Sequence, residues 1–185
     1  MKYEQPQHSQ RETMSAYLQT GQITCYDARG RLIDCIESGQ DAEFRRGMPW
    51  PVPRFEVFED VVLDRLTDLL LCWRSSTDLT GRMLTWEEAF KAVTDLNRVE
   101  GTNPWRLPNI NELESLVDCS AHSPALSHGH PFKDVRDGYW SSTTSVFEPD
   151  WAWALYLTKG AVGVGQKGGV QFSVWAVCDR PLREL

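Results

Sequence analysis

From Thr85 onward the apolar positions follow a helical period. Trp86, Ala89, Phe90, Val93 and Leu96 recur at spacings of three and four, and Thr85-Trp86-Glu87-Glu88 has the form of a capping box. Gly101 ends the run. Asn109-Ile110-Asn111-Glu112 repeats the signal, with Ile110, Leu113, Leu116 and Val117 as the stripe. Asn103–Pro108 reads as a rigid connector between the two helices. Beyond Val135 the period falls to two. Gly138–Thr143 reads as a strand. In Trp151–Thr158, Trp151, Trp153, Leu155 and Leu157 alternate with Ala152, Ala154 and Tyr156. Glycine-linked strands follow around Ala161–Gly165 and Val170–Val177. Upstream, Phe55–Trp73 is open to two readings. Phe55–Phe58 and Val61–Leu63 alternate as strands, whereas Leu63, Leu66, Leu69 and Leu70 fit a helical stripe. A turn at Asp64–Asp68 favours strands. Two helices followed by antiparallel strands predict an α+β domain, and no long repeat is present.

The first third is organised differently. Residues 1–20 are polar and read as a flexible lead. Residues 21–53 form an arm rich in Gly, Asp and Pro, and residues 54–185 form the main domain. Ile23–Tyr26 and Leu32–Cys35 flank a turn, so Cys25 and Cys35 are expected to meet across a hairpin as a local disulfide. Met48-Pro49-Trp50-Pro51-Val52-Pro53 forces an extended path. The chain has 5 Cys. Cys72, Cys119 and Cys178 are left with open fates, and no CxxC pair supports a zinc ribbon or thioredoxin motif. A disulfide points to an oxidising compartment, and secreted, periplasmic or cell-surface placement is expected although the polar N-terminus carries no signal peptide. No apolar window is long enough for a membrane helix.

Composition narrows the partners. A formal charge of -7 argues against nucleic acid and anionic membranes. The 8 Trp residues either build a core or present a surface. Trp86, Trp105, Trp140, Trp153 and Trp175 are read as core, and Trp151, at a strand entrance, as the indole that meets a ligand. The candidate ligand-binding surface is the outer face and loops of the late strands: Tyr139, Asp150, Trp151, Tyr156, Lys159, Gln166, Lys167, Gln171 and Phe172. His122, His128 and His130, with Asp134 and Asp137, lack a regular metal-ligand frame and read as a structural turn. Nucleotide, zinc-protease and hydrolase motifs are missing, and the glycines of 160–169 suit hairpin turns. No cofactor and no catalytic residue is expected.

Several segments form an ordered series: Thr85–Ala89, Trp105-Arg106-Leu107-Pro108-Asn109, Glu112–Asp118, Tyr139-Trp140-Ser141-Ser142-Thr143, Trp151-Ala152-Trp153 and Val174-Trp175-Ala176-Val177. Thr20–Asp27, Gly39–Asp41 and Leu66–Trp73 add weaker matches, so that the likeness runs over roughly residues 20–182. This series resembles the Lcl C-terminal domain family. The resemblance implies a C-type-lectin-like fold, with two helices beside a twisted antiparallel sheet whose first and last strands are adjacent. It also implies a bacterial secreted or surface setting and an adhesive, glycan-binding habit directed at sulfated glycans. Two departures accompany it: Cys178 stands where the pattern has Arg, and the chain is acidic. Glu148-Pro149-Asp150 is similar to the calcium triplet of sugar-binding C-type lectins, in which a cis-proline aims two oxygen side chains at the ion. No second acidic pair follows, so the reading is an acidic turn, with calcium as the alternative. The fold's likeness to formylglycine-generating enzymes supplies a rival function through Cys119 and Cys178. A third reading is a structural subunit of a surface assembly. The leading expectation is a non-enzymatic extracellular module that binds glycans or a protein ligand.

Overall fold

A computed structural model describes residues 17–66, 71–101, 104–169 and 171–179. Residues 1–16, Leu69, Leu70, Asn103, Val170 and the side chain of Cys72 lie outside the described residues, and so do the readings that rest on them. The chain forms β1 (Cys25–Tyr26), β2 (Leu32–Ile33), α1 (Asp41–Phe44), β3 (Phe55–Phe58), β4 (Val61–Asp64), β5 (Leu71–Arg74), α2 (Trp86–Glu100), α3 (Ile110–Glu114), β6 (Gly138–Thr144), β7 (Trp151–Tyr156), β8 (Ala161–Gln166) and β9 (Val177–Asp179). The architecture is α+β. It comprises the β1–β2 hairpin, an antiparallel sheet ordered β3-β4-β5-β9, and an antiparallel β6-β7-β8 meander.

Both predicted helices begin at their capping residues. Thr85 and Asn109 each accept from the N3 backbone amide, and Glu88 and Glu112 reach back to the cap amides, so two orphan donors are satisfied reciprocally. Gly101 closes α2 in the left-handed conformation. α3 is shorter than its apolar stripe suggests. It ends at Glu114, yet Leu113 and Leu116 are both buried. The expected strand over Val170–Val177 is not continuous among the described residues. Phe172 and Ser173 make isolated bridges to Leu84 and Tyr139, and regular pairing starts only at Val177.

Two hydrophobic cores lie on opposite sides of the strands. Leu63, Trp140, Ala152, Ala154, Val174, Ala176 and Cys178 face one, beneath Ala89 and Val93 of α2. Val62, Tyr139, Leu155, Leu157, Trp175 and Val177 face the other, against Leu113 of α3. Successive residues of 174–178 alternate between the two. A segment buried on both faces has no polar side to show, which is why it reads as an unbroken apolar run.

The aromatic side of the first core needs bare backbone opposite it. A Cβ at Gly165 would lie 2.6 Å from Phe172 and 2.9 Å from Trp140, and one at Gly163 would lie 2.9 Å from the Tyr156 ring. These β8 glycines, assigned from sequence to hairpin turns, are instead close-approach positions within a strand.

The arm carries the expected disulfide, Cys25–Cys35, with Cα atoms 5.3 Å apart across the hairpin. Residues 17–20, grouped with the lead from their composition, belong to the arm. The Gln19 amide donates to Met48 O at 3.0 Å, and the Met48 amide to Tyr17 O at 2.8 Å. The arm docks where the Cys119 amide donates to Thr20 O at 2.8 Å. Gly21, at φ +85°, lies against Asp118 so tightly that a Cβ would sit 2.4 Å from its carboxylate oxygen. Arg54 joins arm and domain. It donates to both Asp64 carboxylate oxygens at 3.0 and 2.8 Å and to Ser115 O at 2.8 Å, while its guanidinium lies near the Trp50 and Phe55 rings.

Candidate functional site

The recognised motifs stitch the fold together. Ser142 donates from its amide and hydroxyl to Pro108 O at 2.8 and 3.2 Å, and Thr143 Oγ1 accepts the Ile110 amide at 3.1 Å. Tyr139 and Trp140 enter opposite cores. Arg106 donates to Glu112 at 2.8 and 2.7 Å and to Asp179 at 2.8 Å, which binds the connector to α3 and β9 and holds the guanidinium in its charged form. Trp140, Trp175 and Trp105 are buried as expected, and so is Trp73. The indoles of Trp140 and Trp175 donate to Leu84 O at 2.8 Å and Arg74 O at 3.0 Å.

Of the indoles read as core, Trp153 is partly exposed and Trp86 packs against the first core from its margin. Trp153 is 37% exposed. Trp86 is half-buried, donates to Ser141 O at 2.8 Å and packs edge-on against Phe90. Alternation puts Trp153 beside half-buried Trp151 on the sheet face away from α2. The cross-strand partners are Val164 and Gln166. Farther along the same face, Leu155 and Leu157 enter the second core. The two tryptophans lie at the open end, which the period-two pattern alone could not distinguish from the covered one.

The predicted surface residues separate into three groups. Tyr139 and Phe172 are corrections, because both are buried. The Tyr139 hydroxyl is 2.7 Å from Thr77 Oγ1, and burial pushes its pKa up to about 12. Phe172 packs edge-on against Trp140 and Tyr156, and the half-buried Tyr156 has its own pKa raised by burial. Lys159 is exposed in the β7–β8 turn beyond Tyr156, which itself lies roughly 17 Å along the strand from Trp151 at about 3.3 Å per residue. Asp150, Trp151, Gln166 and Lys167 do gather at the open end; Gln171 is exposed just before Phe172.

Lys167 is a tie and not a free contact. Its Nζ donates to Thr144 Oγ1 at 2.9 Å and Pro149 O at 2.8 Å, and lies 4.0 Å from the Trp86 ring centroid. Its backbone amide donates to Asp150 O at 2.9 Å, and its carbonyl accepts the Trp86 amide at 3.2 Å. The 145–150 loop is fixed further by Ser145 N to Trp151 O at 2.9 Å and Trp151 N to Glu148 O at 2.8 Å. On this braced loop Val146 and Phe147 are each 92% exposed. Sequence reasoning passed over them; the available signal was an apolar pair inside a turn-forming stretch.

The calcium alternative at Glu148/Asp150 meets a different geometry. The cis peptides among the described residues precede Pro53 and Pro124, not Pro149. An ammonium already occupies the Pro149 carbonyl. Among the described residues no three His, Cys, Asp or Glu side chains gather as a ligand set. His130 is half-buried and stacks on Phe132, and burial lowers its pKa. The remaining described thiols differ sharply in setting. Cys178 is 1% exposed in the first core, whereas Cys119 is exposed beside the arm. Burial, then Asp118, Asp41 and Glu114, raise the Cys119 pKa, which disfavours a thiolate.

No helix among the described residues is long and apolar enough to cross a membrane. A model of the Lcl C-terminal domain matches residues 60–178, more than half of the chain. No curated protein and no solved structure matches it.

Proposed function

Because the chain belongs to the Lcl C-terminal domain family, we propose that it is a non-enzymatic binding and adhesion module with a C-type-lectin-like fold, working outside the cytoplasm. The observation that carries this reading is the pairing of partly exposed Trp153 with Trp151 on one sheet face, short of the residues that enter the second core. An indole displayed on a rigid strand offers large contact area at low entropic cost, and it suits the apolar face of a sugar ring or a protein side chain. Gln166 and Asp150 supply hydrogen-bonding groups at its edge. Adjacency of β5 and β9 supports the lectin-like arrangement. The Cys25–Cys35 disulfide supports a secreted, periplasmic or surface setting. Burial of Cys178, with the raised pKa of exposed Cys119, favours binding over thiol catalysis.

The acidic charge and the carboxylates of Glu148 and Asp150 favour a neutral over a sulfated ligand. The test is a glycan array with and without calcium, using the intact chain and Trp153→Ala. Binding to neutral glycans that Trp153→Ala reduces by about thirtyfold or more at unchanged fold supports the proposal. Failure to bind any neutral or sulfated glycan in either condition removes glycans as the ligand.

A further inference from the structure

The exposed Val146–Phe147 tip has a complement elsewhere on the same chain. Along α2 and the 79–84 segment runs a groove of about 490 Å³, with Leu79, Leu84, Leu96 and Val99 on its apolar side and Arg82 and Lys91 on its rim. Leu84 is 1% exposed and forms part of the first core, whereas Val99 is 86% exposed. The acidic residues of that rim already have cationic partners: Glu88, which also accepts from the Thr85 amide and hydroxyl, pairs with Arg82 at 3.8 Å, and Asp95 pairs with Arg98 at 2.9 Å. Lys91 has no ion pair among the described residues; its charge acts on Glu88 only at a distance and helps keep that carboxylate ionised. The groove therefore presents an apolar side and, once Arg82 and Arg98 are set against Glu88 and Asp95, one ammonium that no ion pair engages.

The tip has the opposite character. Two apolar side chains project from it, followed by Glu148, whose carboxylate has no partner among the described residues, and by Asp150, which accepts from Gln166 at 3.4 Å. The tip is not seated in its own chain's groove, since Val146 and Phe147 are each 92% exposed. Only a second molecule brings the two features together. Lys167 holds the loop in place, so little ordering entropy is lost when it docks.

We propose that this protein self-associates by inserting the Val146–Phe147 tip of one copy into the α2 groove of another, with Glu148 meeting Lys91. The contact joins two different surfaces. It gives a closed dimer if the exchange is reciprocal; if it is not, a ring when the rotation between copies closes and an open chain when it does not. A knob of this size belongs to the weak, transient class of interfaces, so association rises with concentration. The inference stands independently of the ligand bound at Trp153.

Sedimentation equilibrium of the intact chain over about 1 µM to 1 mM reads it directly. The expected result is a mass above that of the monomer at the upper end. Phe147→Asp and the single reversals Glu148→Lys and Lys91→Glu should each weaken association by roughly tenfold. The double reversal Glu148→Lys/Lys91→Glu should recover most of that loss. These positions are exposed, and circular dichroism checks that each variant folds. A monomer throughout the range, association indifferent to Phe147→Asp, or a double reversal no better than the singles overturns the proposal.

Discussion

Arg54 and Asp64 are buried together, and their bonding is directional. Replacing one member strands the other's charge in the interior, so Asp64→Ala is expected to cost about 3–5 kcal/mol in urea unfolding. Overpacking has a smaller effect. Gly165→Ala drives a methyl into Phe172 and Trp140 and should cost roughly 1–3 kcal/mol. Trp153→Ala removes an indole that is 37% exposed and should lower the midpoint by less than truncation of a fully buried tryptophan. His130 sets a pH dependence. Its folded pKa lies below the ordinary value near 6.5 because of burial, and its Nδ1 has no partner among the described residues. The unfolded chain thus takes up the proton first. The contribution of His130 is complete above about pH 6.5 and declines as pH falls from there toward the folded pKa. Denaturant midpoints between pH 7.5 and 5.5 should fall less steeply in His130→Gln than in the parent.

At the scale of elements, one ammonium adds to the backbone bonds that brace the loop between β6 and β7. Lys167→Met removes bonds to Thr144 and Pro149 while keeping most of the side-chain stem over Trp86. Hydrogen exchange at the backbone amides of Val146, Phe147, Glu148 and Asp150 should accelerate, and that of α2 should not. Both helix starts were legible because a cap is a local device: Thr85 and Glu88, or Asn109 and Glu112, satisfy each other within one turn. The strand boundaries after Gly169 were not. Phe172 and Ser173 take their positions from Leu84 and Tyr139, partners that no local pattern reveals. The same limit governed the candidate site. Alternation placed Trp153 and Leu155 on one face, but only the tertiary partners of that face, Leu113 with Leu126, Phe132 and Trp175, decide which of them is covered. Tyr139 and Phe172 were misread as surface because a polar hydroxyl and a glycine-rich neighbourhood suggest a loop. In the fold, Thr77 receives the hydroxyl and the missing β-carbons make room for the ring.

Across the whole molecule, the arm and the domain are joined by Thr20, Gly21 and Arg54, which makes the disulfide hairpin an attached clasp. Reducing Cys25–Cys35 should expose the arm to limited proteolysis at low protease while residues 60–178 stay resistant; simultaneous loss of both would show that the clasp also holds the domain. The most extended consequence lies in residues 174–178, which alternate between two cores and lead into the pairing with β5. A ribosome that has delivered everything through Gln166 has released a chain in which neither core is closed. At about 5–20 residues per second, the stretch from Trp86 to Val174 takes several seconds to emerge, and throughout it α2 lacks its interior partners. Chaperones that hold exposed apolar surface meet the chain in that state, until residues 174–178 have emerged and both cores can close.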